Sequence, residues 1–407
     1  MTIPIAKEIS MLTQFSNNSG RVLLFAATMT ALCLIATYPA HAQTLTVFHT
    51  FTGGADGGNP FDTPLLYNGS VFVTTHAGGA HSAGTVFDVN LKTHKNTVLH
   101  SFAGGPSDGA GPIAGLIQDA AGNLYGATYK GGQYNFGAIF ELTQLGALTL
   151  LHSFQGPPIE GLGPSGTPIF DPSGNLFGTT YQGGGSRGYG TVYEISAEGV
   201  YLTGQSFPSA GGLVRAGLHL EEGVLYGTTV GSAAVSYGGT IFAVGRQTAL
   251  YTFSGGADGA QPEGGVIGDG QGNLYGTASG GGSGTFGNGC GVIFEYNIAS
   301  GHLTVLHTFT GPDGAVPMAG LFRDAQGNLY GTTLLGGLGY GTVFKLGTTG
   351  TLTTIHSFTG GADGASPNAG VIVDAAGNIW GTTTNGGSAT GSGGYGTLFV
   401  ITPPPAG

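Results

Sequence analysis

Met318-Ala319-Gly320-Leu321-Phe322-Arg323, Leu329-Tyr330-Gly331-Thr332-Thr333, Thr342-Val343-Phe344-Lys345-Leu346 and Leu352-Thr353-Thr354-Ile355-His356-Ser357-Phe358 are four short runs in one stretch of chain. Each alternates small or polar residues with branched or aromatic ones, the pattern of a strand. Asp324-Ala325-Gln326-Gly327-Asn328 separates the first two as a hairpin turn, with Gly for the left-handed residue and the Asp carboxylate for the turn amides. Nothing in the stretch has helical spacing beyond about two turns. One such unit is a four-stranded antiparallel sheet.

The unit recurs. Its last strand ends on Phe51, Phe102, Phe154, Phe207, Phe253, Phe309 and Phe358, at intervals of 46 to 56 residues. Asn-Leu-Tyr-Gly-Thr-Thr returns nearly intact at Asn123, Asn175, Asn273 and Asn328, altered at Asn378 and more loosely around Val71 and Leu225. Gly-Thr-Val-Phe returns, with small variations, at Gly84, Gly137, Gly190, Gly239, Gly291, Gly341 and Gly396. Seven units of roughly 50 residues predict an all-β, seven-bladed β-propeller, since solenoid repeats are shorter and need capped ends. The phase adds closure. The chain after residue 43 opens with a lone fourth strand, Thr44 to Phe51, and ends with three strands and no fourth. Pairing the first strand into the last blade removes both open edges. The expected blades are 52–102, 103–154, 155–207, 208–253, 254–309, 310–358, and 359–401 joined by 44–51, within one domain spanning 43–402.

Composition agrees. Of 407 residues 83 are Gly, only 8% are charged and 40% are apolar, with a net charge of −11. Collagen and disordered chains have other signatures, and ten basic residues leave no footprint for nucleic acid. Residues 1–42 differ from the rest: Lys7 and Arg21, an apolar stretch from Val22 to Thr37, then Ala40-His41-Ala42. They read as a secretory signal peptide cleaved after Ala42, too short in its apolar run for a spanning helix. Cleavage removes Cys33 and leaves Cys290, read as a small buried hydrophobe, so no internal disulfide is expected. Residues 403–407 are a Pro-rich tail.

Gly-Gly-x-Asp-Gly-Ala-x-Pro, Asn-Leu-Tyr-Gly-Thr-Thr and Gly-Tyr-Gly-Thr-Val-Phe recur in that order over residues 44–401. This resembles the GloVer (Gloeobacter/Verrucomicrobia) tandem repeat of exported bacterial proteins. The fourth unit departs from the pattern, with Pro208 to Gly212 in place of the Asp-Gly element. The resemblance implies a repeat architecture and brings no established activity.

Several series of residues invite a functional reading. Asp56, Asp108, Asp258, Asp313 and Asp363, with Glu160 in the third unit, sit in the loops between blades. They read first as Asp-Gly turns, with calcium held by converging loops as the alternative. Asp119, Asp171, Asp269, Asp324 and Asp374 read as hairpin turns. His49, His100, His152, His307 and His356, replaced by Gln205 and Tyr251, read as bridges between neighbouring strands rather than as a metal ring. Phe136, Tyr189, Tyr237, Phe286, Tyr340 and Tyr395 precede the Gly-Thr-Val-Phe anchor; they would pack between blades or form stacking platforms for a ligand. No nucleophile elbow or phosphate cradle has its required helix. The odd residues Arg187, His76, His81 and Glu263 form no catalytic set in sequence. The expectation is an exported, non-catalytic module without a bound cofactor, binding a periplasmic or extracellular glycan or protein on its loop-rich face. The alternatives are a secreted hydrolase or lyase acting at the channel mouth, and a structural component of the cell surface.

Overall fold

The computed structural model describes residues 43–403, apart from 185–187, 203–204, 208–211, 232–237, 247, 283, 285–286 and 389–392. Residues 1–42, expected to be a signal peptide, the tail from 404, Arg187, Tyr237 and Phe286 therefore lie outside the described residues.

Seven four-stranded antiparallel blades form a β-propeller. In blade 6 the strands are Phe322–Arg323, Leu329–Thr333, Thr342–Leu346 and Leu352–Ser357, hydrogen-bonded in that order. Blade 7 takes Ile372–Val373, Ile379–Thr383 and Thr397–Thr402 from the end of the chain and Thr44–Thr50 from its start. The terminal strands pair antiparallel from Thr44 opposite Thr402 to Thr50 opposite Thr397.

Each seam between blades is closed by one contact that joins two repeated motifs. The Phe ending a fourth strand meets the aromatic of the next blade's Gly-Thr-Val-Phe edge-on, as in Phe102 with Phe140, Phe309 with Phe344 and Phe358 with Phe399. Phe154 on Tyr193, Phe207 on Phe242 and Phe253 on Phe294 repeat it, and Phe51 on Phe87 joins blade 7 to blade 1. The ring centroids lie 4.6–5.3 Å apart, within the favoured range for aromatic pairs. Seven apolar clusters result, each shared by two neighbouring blades. A linear array of seven units would have six, so the ring is closed.

Asn-Leu-Tyr-Gly needs its Gly for the same reason. A Cβ at Gly331 would stand 2.6 Å from Cζ of Phe344, so the ring packs onto bare backbone.

The inner strand departs from expectation. The run Met318–Arg323 was expected to pair throughout, but only Phe322–Arg323 does, while Ala315 makes a separate bridge to Leu335. The chain between leaves the ladder. Val316 sits at φ 59°, a left-handed value costly for a β-branched residue, and Pro317 has no N–H to give. Gly111, Gly163, Gln261 and Ser366 take the same conformation before their prolines. The break therefore belongs to the repeat, and it turns the next few residues toward the axis.

Candidate functional site

Those broken inner strands line a central cavity of about 840 Å³ to which all seven blades contribute. Two positions of each unit meet there. The first follows the break and is Phe61, Ile113, Ser165, Arg215, Glu263, Met318 or Asn368, seven different residue types. The second follows the Thr-Thr of the second strand and is His76, Tyr129, Tyr181, Val230, Ser279, Leu334 or Thr384. Of these, His76, Tyr129, Tyr181, Leu334 and Thr384 line the cavity.

The left-handed residue holds the two positions side by side. The N–H of Val316 donates to the Cys290 carbonyl of the preceding blade (2.9 Å), and its carbonyl accepts from Leu334 N–H (3.0 Å). Gln261 is held in the same way between Gly238 and Ser279. Behind the wall, the first Thr of each Thr-Thr donates its hydroxyl to the next blade's inner segment. Examples are Thr332 to Ala369 (2.7 Å) and, across the closure, Thr382 to Asp62 (3.4 Å).

Blade 2 has Ala127 in place of that Thr. Asp62 and Thr167 occupy positions that are Ala or Gly in most units, and they tie this part of the ring instead. Thr167 Oγ1 donates to Asp62 Oδ2 (2.9 Å), Gly115 N–H donates to the same oxygen, and Thr63 N–H donates to Oδ1 (2.6 Å). Burial raises the Asp62 carboxyl above its ordinary value, against these hydrogen bonds.

Arg215, Glu263 and Tyr181 form the polar part of the wall. The guanidinium Nη1 donates to Glu263 Oε2, and its carbon lies 5.6 Å from the Tyr181 ring centroid. Arg215 is 45% exposed while Glu263 is 14%, so the carboxylate is anchored and the guanidinium faces open space. Burial raises the Glu263 carboxyl, opposed by Arg215. Across the cavity Phe61 meets His76 edge-on at 5.4 Å, and burial lowers the His76 imidazole below its usual value.

The series singled out in sequence sit elsewhere. Each loop acid pairs with the His at the end of the preceding strand: His49 with Asp56, His100 with Asp108, His152 with Glu160, His307 with Asp313 and His356 with Asp363, at 2.8–3.1 Å. Tyr251 replaces the His and donates to Asp258 at 2.9 Å. The His side chains thus hold the following loop; His49 also meets Asn96 Nδ2 on the neighbouring blade's strand at its Nδ1 (3.1 Å), so the expected bridge between strands is made there, while the loop contact is the one that recurs. The same carboxylates accept from loop amides, as Asp313 does from Thr310 (2.8 Å) and Asp363 from Thr359 (2.9 Å). Among the described residues no group of three His, Cys, Asp or Glu surrounds a common point. The hairpin acids do close their turns: Asp324 accepts from Asn328 N–H and Nδ2 (both 2.8 Å) and from Tyr330 OH (3.1 Å).

Phe136, Tyr340 and Tyr395 are not buried plugs between blades. Each lays its ring against the first Gly of the next loop, Gly156, Gly360 or Gly53, where a Cβ would come within 2.4–2.7 Å of the ring. They stay 39, 38 and 47% exposed, outside the cavity wall, and Tyr189 packs beside the cluster joining blades 3 and 4. Gly238 and Cys290 take the equivalent position in blades 4 and 5, and Cys290 is buried. Of the odd residues, His76 and Glu263 line the cavity and His81 lies on an exposed turn. Sequence reading missed Phe61, Asp62, Tyr129, Tyr181 and Arg215. Their signal was available: a repeat that is otherwise regular changes residue type at two fixed positions in nearly every unit.

A closed seven-bladed propeller with an asymmetric axial cavity is the class that fold and site define. The family model of the Gloeobacter/Verrucomicrobia repeat matches residues 31–242 and 185–399, and the chain belongs to that family. No curated protein matches it in sequence. Among solved structures it is similar to the extracellular domain of a protein assigned to the hybrid two-component systems of B. thetaiotaomicron. That likeness has TM-score 0.56 and 12% identity and covers 89% of this chain but 41% of the other, so this chain spans about two fifths of that extracellular domain. It is also similar to the computationally designed Ika8 protein, at TM-score 0.50 and 11% identity over 86% of this chain and 99% of that one. Both likenesses concern the fold alone.

Proposed function

We propose that this protein is an exported, non-catalytic binding propeller whose ligand occupies the axial cavity. One observation carries the reading: residue variety is concentrated where the repeat faces the cavity, while the seams and turns behind it stay uniform. A scaffold selected for packing alone gains nothing from seven different residues at one position. The volume of about 840 Å³ suits a small ligand or the end of a larger one, and the wall mixes aromatic, amide and charged groups. In the cavity Asp62 is taken up by backbone and Thr167, and Glu263 by Arg215, which supports binding over acid–base chemistry. Export rests on the N-terminal segment and fits the fold neighbour drawn from an extracellular domain.

The test is a block. Ser165→Trp fills the cavity from the wall and leaves every loop residue in place. A ligand found by thermal-shift screening of glycans and peptides should bind the wild type and fail on the variant. Equal affinity for both proteins would move the site off the axis and end this reading.

A further inference from the structure

Three adjacent blades supply the polar wall: Tyr181 from blade 3, Arg215 from blade 4 and Glu263 from blade 5. From this arrangement we propose that the cavity recognises a neutral saccharide, its neighbouring hydroxyls held by the Arg215–Glu263 pair. The inference rests on the axial-binding reading above and names its ligand class.

The pair sets a donor beside an acceptor. Arg215 uses one nitrogen on Glu263, and among the described residues its other N–H groups have no protein acceptor. Glu263 Oε1 takes a long hydrogen bond from the Ser279 hydroxyl, at 3.5 Å. A hydroxyl both donates and accepts, so two adjacent hydroxyls can satisfy such a pair in both directions, with charge-assisted bonds. A carboxylate or phosphate would meet Arg215 but also Glu263 and Asp62, two acids against one cation on a chain of net charge −11. An apolar ligand would leave the pair desolvated without compensation. The neighbouring wall of blades 1 and 2, with Phe61 and Tyr129, supplies aromatic surface for the C–H faces of a sugar ring.

Calorimetric titration against three sets of probes separates the outcomes: neutral gluco-, galacto-, manno- and xylo-oligosaccharides, the matching uronic-acid oligomers, and short peptides. A neutral oligosaccharide is expected to bind, and its uronic counterpart to bind more weakly. Glu263→Gln should weaken the neutral ligand roughly tenfold or more, as expected for losing a hydrogen bond to a charged group. The paired variant Arg215→Met with Glu263→Leu should abolish binding with an unchanged melt; if it does not fold, Glu263→Gln carries the test alone. Tighter binding of the uronic series or of peptides, indifference to Glu263→Gln, or no neutral oligosaccharide bound at millimolar concentration would each overturn the proposal. Ser165→Trp tells the two failures apart: an acidic ligand lost on blocking sinks only the ligand class, whereas a neutral ligand that survives blocking sinks the axial site.

Discussion

The seams between blades and the wall of the cavity come from the same repeat, a few residues apart on the same strands. At the seams the solution is copied seven times: an edge-on aromatic pair, with bare Gly backbone under the second ring in the later blades. At the wall no two units agree at the position following the inner-strand break. Close packing explains the first, because a ring wedged between two sheets has one low-energy arrangement and any change in volume is felt. The wall residues project into open space. No seam packing constrains them, so their identity is left to what enters.

That contrast makes ordered predictions. The largest effect belongs to the closing seam. Deleting residues 44–51 removes the outer strand of blade 7 and Phe51, and should abolish most of the cooperative unfolding transition in a thermal melt. Phe51→Ala alone should cost about 3–5 kcal/mol. An unchanged melt after the deletion would show that the terminal strand does not close the ring.

Next, Gly331→Ala pushes a methyl into the Phe344 ring and should lose about 1–3 kcal/mol in urea unfolding, through overpacking.

Acid should expose a further difference. In Asp108, Asp258, Asp313, Asp324 and Asp363 burial alone would raise the carboxyl, but hydrogen bonds outweigh it and the folded value falls below 3.8. The unfolded chain then binds protons first, so this stability is complete above the unfolded value, starts to fall there and is lost as pH drops through the lower folded value. Asp62 and Glu263 are shifted upward and act in the opposite sense, their contribution being greatest in acid and fading as pH rises. With many shell acids against two in the wall, the melting temperature should hold level down to about pH 4 and fall below it. A protein that gained stability below pH 4 would contradict the turn assignments.

Tyr193 is a flaw in the copied seam. It replaces Phe in blade 3, and among the described residues its buried hydroxyl has no hydrogen-bond partner. Tyr193→Phe should therefore stabilise the fold by about 1 kcal/mol, measured by the same unfolding experiment. The smallest effect is expected at the wall, where Asn368→Ala should change stability by no more than about 0.5 kcal/mol. A wall substitution as costly as a seam substitution would erase the distinction.

Strand order, blade number and ring closure were legible in the chain. They follow from alternation within about six residues, from anchors that recur once per unit, and from the offset that leaves one strand at the start and three at the end. Turn acids were equally legible, because a carboxylate such as Asp324 bonds amides two to four residues away. The His series was half legible. Each His was noted and each loop acid was noted, but their pairing depends on how the loop folds back over its strand.

What the sequence determined by itself is the set of short-range regularities, because repetition of local pattern is itself the physical cause of a propeller. What the tertiary structure alone decided is which side chains look at one another across the axis. Arg215, Glu263 and Tyr181 belong to three units, and they meet because Thr hydroxyls and left-handed residues fix the tilt and spacing of seven wedges. The distance between groups some 50 residues apart is a property of the closed ring.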